Sequence, residues 1–274
     1  MRIENLTYSK PEGTQDEFAL ASATPDVPAP AKSETPAVTL GHEGYRKEQP
    51  TVEVYRFFII SGGEKREVDY FRFLTKMEWN FRLDRVSLHI ISKKGQGLMP
   101  DKMVALGNQF RANKLFETPD YAYQLTEDDV IYMISDVDEF YDTLKDAVKR
   151  EPRFRWIISN PCFEIWLFYH KTDDVKLLGG CDALSPDKRS QWMKQKLNSL
   201  GQVQSGKAFT QMRSAIENSK RHCSVDANGI PKLFSTQMHV LANLLLNSLG
   251  DDFDQMLEEN RQRIAAYKAR LNTE

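Results

Sequence analysis

Asp129-Val130-Ile131-Tyr132-Met133-Ile134-Ser135 followed at once by Asp136-Val137-Asp138-Glu139 is the stretch that decides how this chain folds. Its first part is apolar and rich in β-branched and aromatic residues, which reads as a strand. Its second part packs three acids into four residues, directly at the strand's end. Carboxylates crowded there are costly unless something neutralises them. A hard divalent cation with oxygen ligands would do so, and magnesium is content with one or two carboxylates plus phosphate oxygens. The other reading is helix capping, with Asp136 or Asp138 closing the first turn of a helix that starts near residue 139.

Working outward, the same grammar repeats. Val52–Ile60 (VEVYRFFII) reads as a strand stopped by Ser61-Gly62-Gly63, and Glu64–Met77 has helical spacing. Arg85–Ser92 is a second strand, followed by a glycine-bearing loop and a helix from Asp101, as its cap, to about Leu115. After the decisive stretch come a helix over Tyr141–Lys149, a strand over Phe154–Ser159 and a helix over Cys162–His170. Four strands alternating with helices imply an α/β core with a mostly parallel sheet covered on both faces. Beyond residue 171 only helices are expected, at Lys188–Leu200, Lys207–Arg221, Ser235–Leu249 and Phe253–Leu271. This gives three parts: a flexible arm over 1–50, an α/β core over 51–170 and a helical extension over 171–274.

Composition bounds the function. The arm holds six of the twelve prolines and three of the 29 aromatics, so it has little to bury and is expected to be disordered. The 274 residues carry 37 basic and 39 acidic side chains, a balance that excludes a polybasic binder working by bulk attraction. No apolar run nears the roughly 20 residues of a membrane helix, and the N-terminus lacks a signal-peptide core. Three widely spaced cysteines form no CxxC pair, so a reduced, cytoplasmic protein is expected.

In open α/β sheets ligands gather outside the carboxyl ends of the strands. Those ends here carry Gly62, Gly63, Glu64 and Glu67; Lys93, Lys94, Gly95 and Gly97; Asp136 and Asp138; and Asn160, Cys162 and Glu164. The Gly62-Gly63 turn lacks the spacing of a Walker A loop or of GxGxxG. Lys93 and Lys94 are candidates for phosphate contacts, or an ordinary solvated loop. Glu164 lies within the apolar run Phe163–Tyr169, so it must face a site or find a donor. His170 ends that helix, where the dipole favours a cation. His89 reads as a sheet histidine and Cys162 as a packed thiol.

These residues resemble the RloB-like family of bacterial phage-resistance loci. The resemblance is carried by Gly63-Glu64-Lys65-x-Glu67-x-x-Tyr70-Phe71, Asp136-x-Asp138-Glu139, and Ser159-Asn160-Pro161-Cys162-Phe163-Glu164-Ile165-Trp166-Leu167 ending in His170. Weaker pieces are Ala215–Lys220 and Ser235-Thr236 with His239 and Leu241; together they span about 51–255. The resemblance implies a Toprim-like domain. Such domains set a glutamate after the first strand and a DxD pair after the third, and hold magnesium for phosphodiester chemistry. It implies Asp136 and Asp138 as metal ligands, with magnesium or manganese. Glu67, Glu64, Glu164 and His170 become catalytic candidates, and Lys93, Lys94 and Asn160 substrate-binding ones. It further implies a nuclease in phage defence acting on DNA or RNA, with an ATPase partner of AAA or ABC type and room for a homo-oligomer. One position departs: the family's first-strand glutamate is Gly62 here. That opens a second expectation, a catalytically degenerate scaffold or sensor subunit that binds an ATPase or a phage component.

Overall fold

The computed structural model describes residues 55–75, 86–93, 97–119, 121–201 and 209–271. The N-terminal arm, Lys94 and the expected end of the first helix at Met77 lie outside the described residues.

The sheet has four strands: β1 (Tyr55–Ser61), β2 (Val86–Ile91), β5 (Ile131–Asp136) and β6 (Arg155–Ser159). All its pairings are parallel and its order is β2-β1-β5-β6. The expected α/β class with a mostly parallel sheet is therefore the observed one. Winding runs outward from β1 first to β2 and then, through β5, in the opposite direction to β6. The reversal falls between β1 and β5, and a crevice opens at such a point beyond the strands' carboxyl ends.

Burial follows from position. The central strands β1 and β5 are buried almost throughout, whereas the edge strand β2 alternates, with Val86, Leu88 and Ile90 inward. The pleat sends successive side chains to opposite faces. Phe57 and Ile59 thus join one hydrophobic cluster with Val68, Tyr70, Ile134 and Trp166, while Phe58 and Ile60 join another with Met103, Phe110, Met133 and Trp156.

Helix α1 (Arg66–Thr75) and α4 (Glu164–Tyr169) cover the first face; α2 (Pro100–Asn113) and α3 (Tyr141–Arg150) cover the second. Gly107 lets α2 ride close over β5, since a Cβ there would lie 2.6 Å from Met133 Cε. The later helices α5 (Pro186–Ser199), α6 (Met212–His222) and α7 (Met238–Leu249) add Met193, Leu197, Ile216, Leu241 and Leu245 to the first cluster. The helical segment therefore completes the sheet's cover. Helix α8 (Asp251–Leu271) follows, mostly exposed where its side chains are described.

Three local expectations need correction. Helix α2 opens with Pro100 at its first position behind Met99, with no side-chain cap; Asp101 sits in the first turn and pairs with Arg150 at 2.6 Å. It also stops earlier than Leu115, at Lys114, whose φ of 52° is left-handed. An antiparallel hairpin then follows, β3 (Leu115–Glu117) with β4 (Ala122–Gln124). No glycine or proline marks the helix end itself, and Pro119 comes only after β3.

The third correction concerns the expected absence of extended chain beyond residue 171. Residues 234–237 run back along β6. Ser235 O accepts from Asn160 N at 2.9 Å, Asn160 O accepts from Phe234 N at 2.8 Å, and Ser159 and Thr236 share a hydroxyl bond of 2.8 Å. This strap occupies the β6 edge, which would otherwise expose unpaired backbone groups.

Candidate functional site

At the carboxyl ends of β1 and β5 the backbone is closely knitted. Gly62 donates its N–H to Ile134 O at 2.8 Å and accepts from Leu98 N at 2.8 Å. Helix α1 then begins, with Glu67 in its first turn and 6% exposed. The Glu67 carboxylate folds back over the turn: a Cβ on Gly63 would stand 2.1 Å from its Cδ and both oxygens. Gly63 is therefore needed as glycine to keep that acid where it is.

Asp136 ends β5, and the chain turns through Val137 and Asp138. Val137 N–H reaches Ser159 O at 2.9 Å, Asp138 N–H reaches Pro161 O at 3.0 Å, and Asp138 takes a left-handed φ of 39°. Helix α3 starts only at Tyr141, behind Phe140, and no side chain caps it. Capping, the bland reading of this acidic run, is excluded for both aspartates. Asp138 instead accepts a hydrogen bond from Ser190 Oγ on α5. Asp136 Oδ1 is buried with no hydrogen-bond partner among the described residues.

Glu164 opens α4, is 2% exposed, and finds its donor in Arg66, whose Nη1 lies 3.3 Å from Oε1. Lys194, one helical turn beyond Ser190 on α5, stands at the solvent rim of the same group.

Electrostatics binds these residues together. Burial pushes the Glu67 carboxyl up to about 7, helped by the Glu164 charge and opposed by Lys194 and Arg66. Burial also holds Asp136 well above the usual carboxylate range, with Glu67, Glu164 and Asp138 adding to the shift. Asp138 is raised by burial too, against the Ser190 hydrogen bond and Lys194. Partial desolvation works against the Lys194 charge, yet Glu164, Asp136 and Asp138 outweigh it and raise its pKa. With all four acids ionised, Arg66 and Lys194 would leave two negative charges in excess.

Of the sequence candidates, Glu67, Asp136, Asp138 and Glu164 thus share one electrostatic field. Others stand apart. His170 is buried, and its ring nitrogens are engaged by Tyr70 Oη at 3.2 Å and Trp166 O at 2.9 Å, which leaves neither for proton transfer. Burial lowers its pKa to about 4. Asn160 spends its side-chain amide on Pro231 O at 2.7 Å, in the loop that leads to the strap. Glu64 is half-buried in the turn before α1, and Lys93 is exposed at the end of β2. Cys162 is fully buried, and burial raises its thiol, as for a packed residue. His89 is a sheet histidine, bonded to Ser87 Oγ at 2.7 Å and stacked between Phe58 and Tyr123.

Sequence reading missed Arg66, Ser190 and Lys194. The latter two sit on a helix whose role emerges only when it packs beside β5. Their one local signal is a four-residue spacing that puts them on one helix face.

Whether these groups suit a divalent cation can be judged from the donors. Hard oxygen ligands, an unpartnered Asp136 oxygen and two excess negative charges all fit one. Among the described residues, no three or more His, Cys, Asp or Glu side chains are grouped as a metal-holding set. Among the described residues no helix is long and apolar enough to cross a membrane.

A family model described as RloB-like protein matches residues 57–245, which include every residue of this cluster. No curated protein and no solved structure matches the chain. The chain belongs to the RloB-like family.

Proposed function

We propose that this RloB-like protein is a metal-dependent phosphodiesterase acting on nucleic acid. The observation that carries the reading is the buried Asp136 carboxylate with an unpartnered oxygen, set among Glu67, Asp138 and Glu164 at the point where the sheet's winding reverses. Nothing in folding calls for such a group, and four acids against two bases are hard to explain by stability.

Asp136 and Asp138 would hold magnesium or manganese, with Glu67 nearest in charge. The ion, when bound, neutralises phosphate charge and acidifies a water. Lys194 offers an ammonium at the solvent rim for the non-bridging phosphate oxygens. Glu67, near neutrality through burial, is suited to hold or give up a proton. Ser190 and Arg66 fix the directions of Asp138 and Glu164. The strand order supports a Toprim-like core. A cytoplasmic role in phage defence and an ATPase partner of AAA or ABC type complete the reading, on the strength of the resemblance.

The test is cleavage of DNA and RNA panels with magnesium or manganese, comparing wild type with Asp136→Ala and Asp138→Ala. Equal cleavage by all three removes the assignment.

One observation favours a second reading, a degenerate scaffold subunit. Gly62 stands where the family has its glutamate, and a Cβ there would lie 3.2 Å from Leu98 O and 3.3 Å from Ile134 O. The fold has closed around a residue without a side chain. On this reading wild type is inert with every substrate and metal, and retains only partner binding.

A further inference from the structure

At the β2 edge of the sheet, beyond the strand's carboxyl end, lies a cavity of about 430 Å³. It is formed between the end of β2 and the outer face of α2. Ile91, Leu98 and Leu106 give it apolar walls, and Lys93, Lys102 and Gln109 add polar groups around them. Its volume falls within the roughly 300–1,000 Å³ of small-molecule sites. A cavity with apolar walls and two ammonium groups suits a flat, weakly polar ring that carries an anion.

Three further observations give the cavity a direction. Ser92, also in its lining, has a buried hydroxyl without a hydrogen-bond partner among the described residues. No ion pair is formed by Lys93 or Lys102 among the described residues. And the wall residue Leu98 is tied through Gly62 to Ile134, two residues before Asp136, by two backbone hydrogen bonds of 2.8 Å. The cavity and the carboxylates are thus two compartments on one backbone frame.

We infer that this cavity is a nucleotide subsite: it takes one base of a single-stranded polynucleotide between Ile91, Leu98 and Leu106, and that nucleotide's phosphate on Lys93 and Lys102. The inference rests on the phosphodiesterase reading of the acids and adds the substrate class. Apolar walls accept any base face, while the Gln109 amide in the lining offers a donor and an acceptor to a base edge. A duplex would have to unstack to enter, so the subsite favours single strands.

The experiment uses the full chain with EDTA present, so that binding is read without cleavage. The probe is a fluorescein-labelled single-stranded pentanucleotide, with nucleoside 5′-monophosphates and inorganic phosphate as competitors. Two variants alter exposed positions, so the fold is kept: Lys93→Ala/Lys102→Ala, and Ala105→Trp, which fills the cavity from the surface of α2.

Monophosphates are expected to compete where equal inorganic phosphate does not. The double lysine variant should lower the salt slope by about 0.7, the single-strand value for the one phosphate the two lysines share. Ala105→Trp should weaken binding several-fold, because the indole occupies the space the base would take. Wild-type binding and salt slope in both variants would overturn the subsite, as would competition by phosphate alone. Asp136→Asn separates the two readings. If it cleaves like wild type while the cavity variants lose binding, the metal centre fails and the subsite stands. If it abolishes cleavage while the cavity variants bind normally, the subsite alone fails.

Discussion

Two aspartates flank β5, one at each end, and the protein treats them in opposite ways. Asp129 precedes the strand and is fully provided for. Arg56 grips both of its oxygens, Nε at 3.0 Å from Oδ1, and Thr126 adds its N–H at 2.6 Å and its hydroxyl at 2.8 Å. Asp136 closes the strand and is surrounded by acids, with one oxygen unpartnered. On the proposed function, two residues of one type mark a joint at one end of the sheet and a site at the other. A carboxylate that serves the fold collects donors; one kept for chemistry would be left under-satisfied, at a cost borne by the rest of the core.

The largest expected effect breaks this contrast at the site end. Asp136→Asn should lower magnesium-dependent cleavage by on the order of 100-fold or more, since even groups that only support a metal ligand are worth 10- to 100-fold. The same change should leave urea stability without magnesium unchanged or raised, because it removes an acid that burial and the neighbouring carboxylates disfavour. Magnesium should raise the melting temperature of wild type and release protons, which calorimetry in two buffers of different ionisation enthalpy reads directly. A substantial loss of stability in Asp136→Asn would mark the residue as structural.

A second expectation sharpens the comparison through pH. Glu67 is raised from 4.5 to about 7, so between those values the folded state keeps a proton that the unfolded chain has lost. Stability from this group is full below pH 4.5 and falls as pH rises through 7. His170 runs the other way. Its pKa falls from 6.5 to about 4, so the unfolded chain binds more protons in that window, and stability rises with pH across it. Each is worth roughly 3 kcal/mol at most. Between pH 4.5 and 6.5 these two contributions oppose one another. Relative to wild type, Glu67→Gln should make the slope more rising and His170→Phe more falling. Denaturant midpoints at pH 4.5, 5.5, 6.5 and 7.5 decide it; parallel profiles in all three proteins would contradict the assignment.

At the other end of β5 the effect is on stability alone. Asp129→Ala should cost about 2 kcal/mol, the loss of several charge-assisted hydrogen bonds to a partly exposed arginine. Where the variant is folded, cleavage should stay at the wild-type rate, since Asp129 is at the opposite end of the strand from the acids. A parallel fall in activity among folded molecules would dissolve the distinction between joint and site.

Much of the fold was legible because parallel strands are buried on both faces and leave continuous apolar runs such as Phe57–Ile60 and Ile131–Ile134. The hairpin of β3 and β4 was not, because the helix before it ends on one left-handed lysine and its strands are only three residues each. Acids at the strand ends were visible for the same reason: charge after an apolar run is conspicuous. His170 misled, since a histidine ending an apolar, aromatic run gives no sign that Tyr70 and Trp166 will enclose it. Lys194 was invisible, being one lysine on a polar helix until that helix lies against β5. Local pattern thus finds the groups a strand presents, and misses those that arrive from distant helices.

The smallest expected effect addresses Gly62, where the two functional readings part. A glutamate there must fit a Cβ between carbonyls at 3.2 and 3.3 Å, so a cost of about 1 kcal/mol is expected from small backbone shifts. It also brings a fifth carboxylate beside four. If Glu67 already does the work of the missing acid, Gly62→Glu adds charge without function, and cleavage should stay within a few-fold of wild type. Gly63→Ala tests the same point from the next residue. It leaves every acid in the sequence but drives the Glu67 carboxylate off its seat, so cleavage should fall while the fold holds. An inert wild type that gains cleavage with Gly62→Glu would mean that the under-satisfied end of β5 is a site the chain has retired.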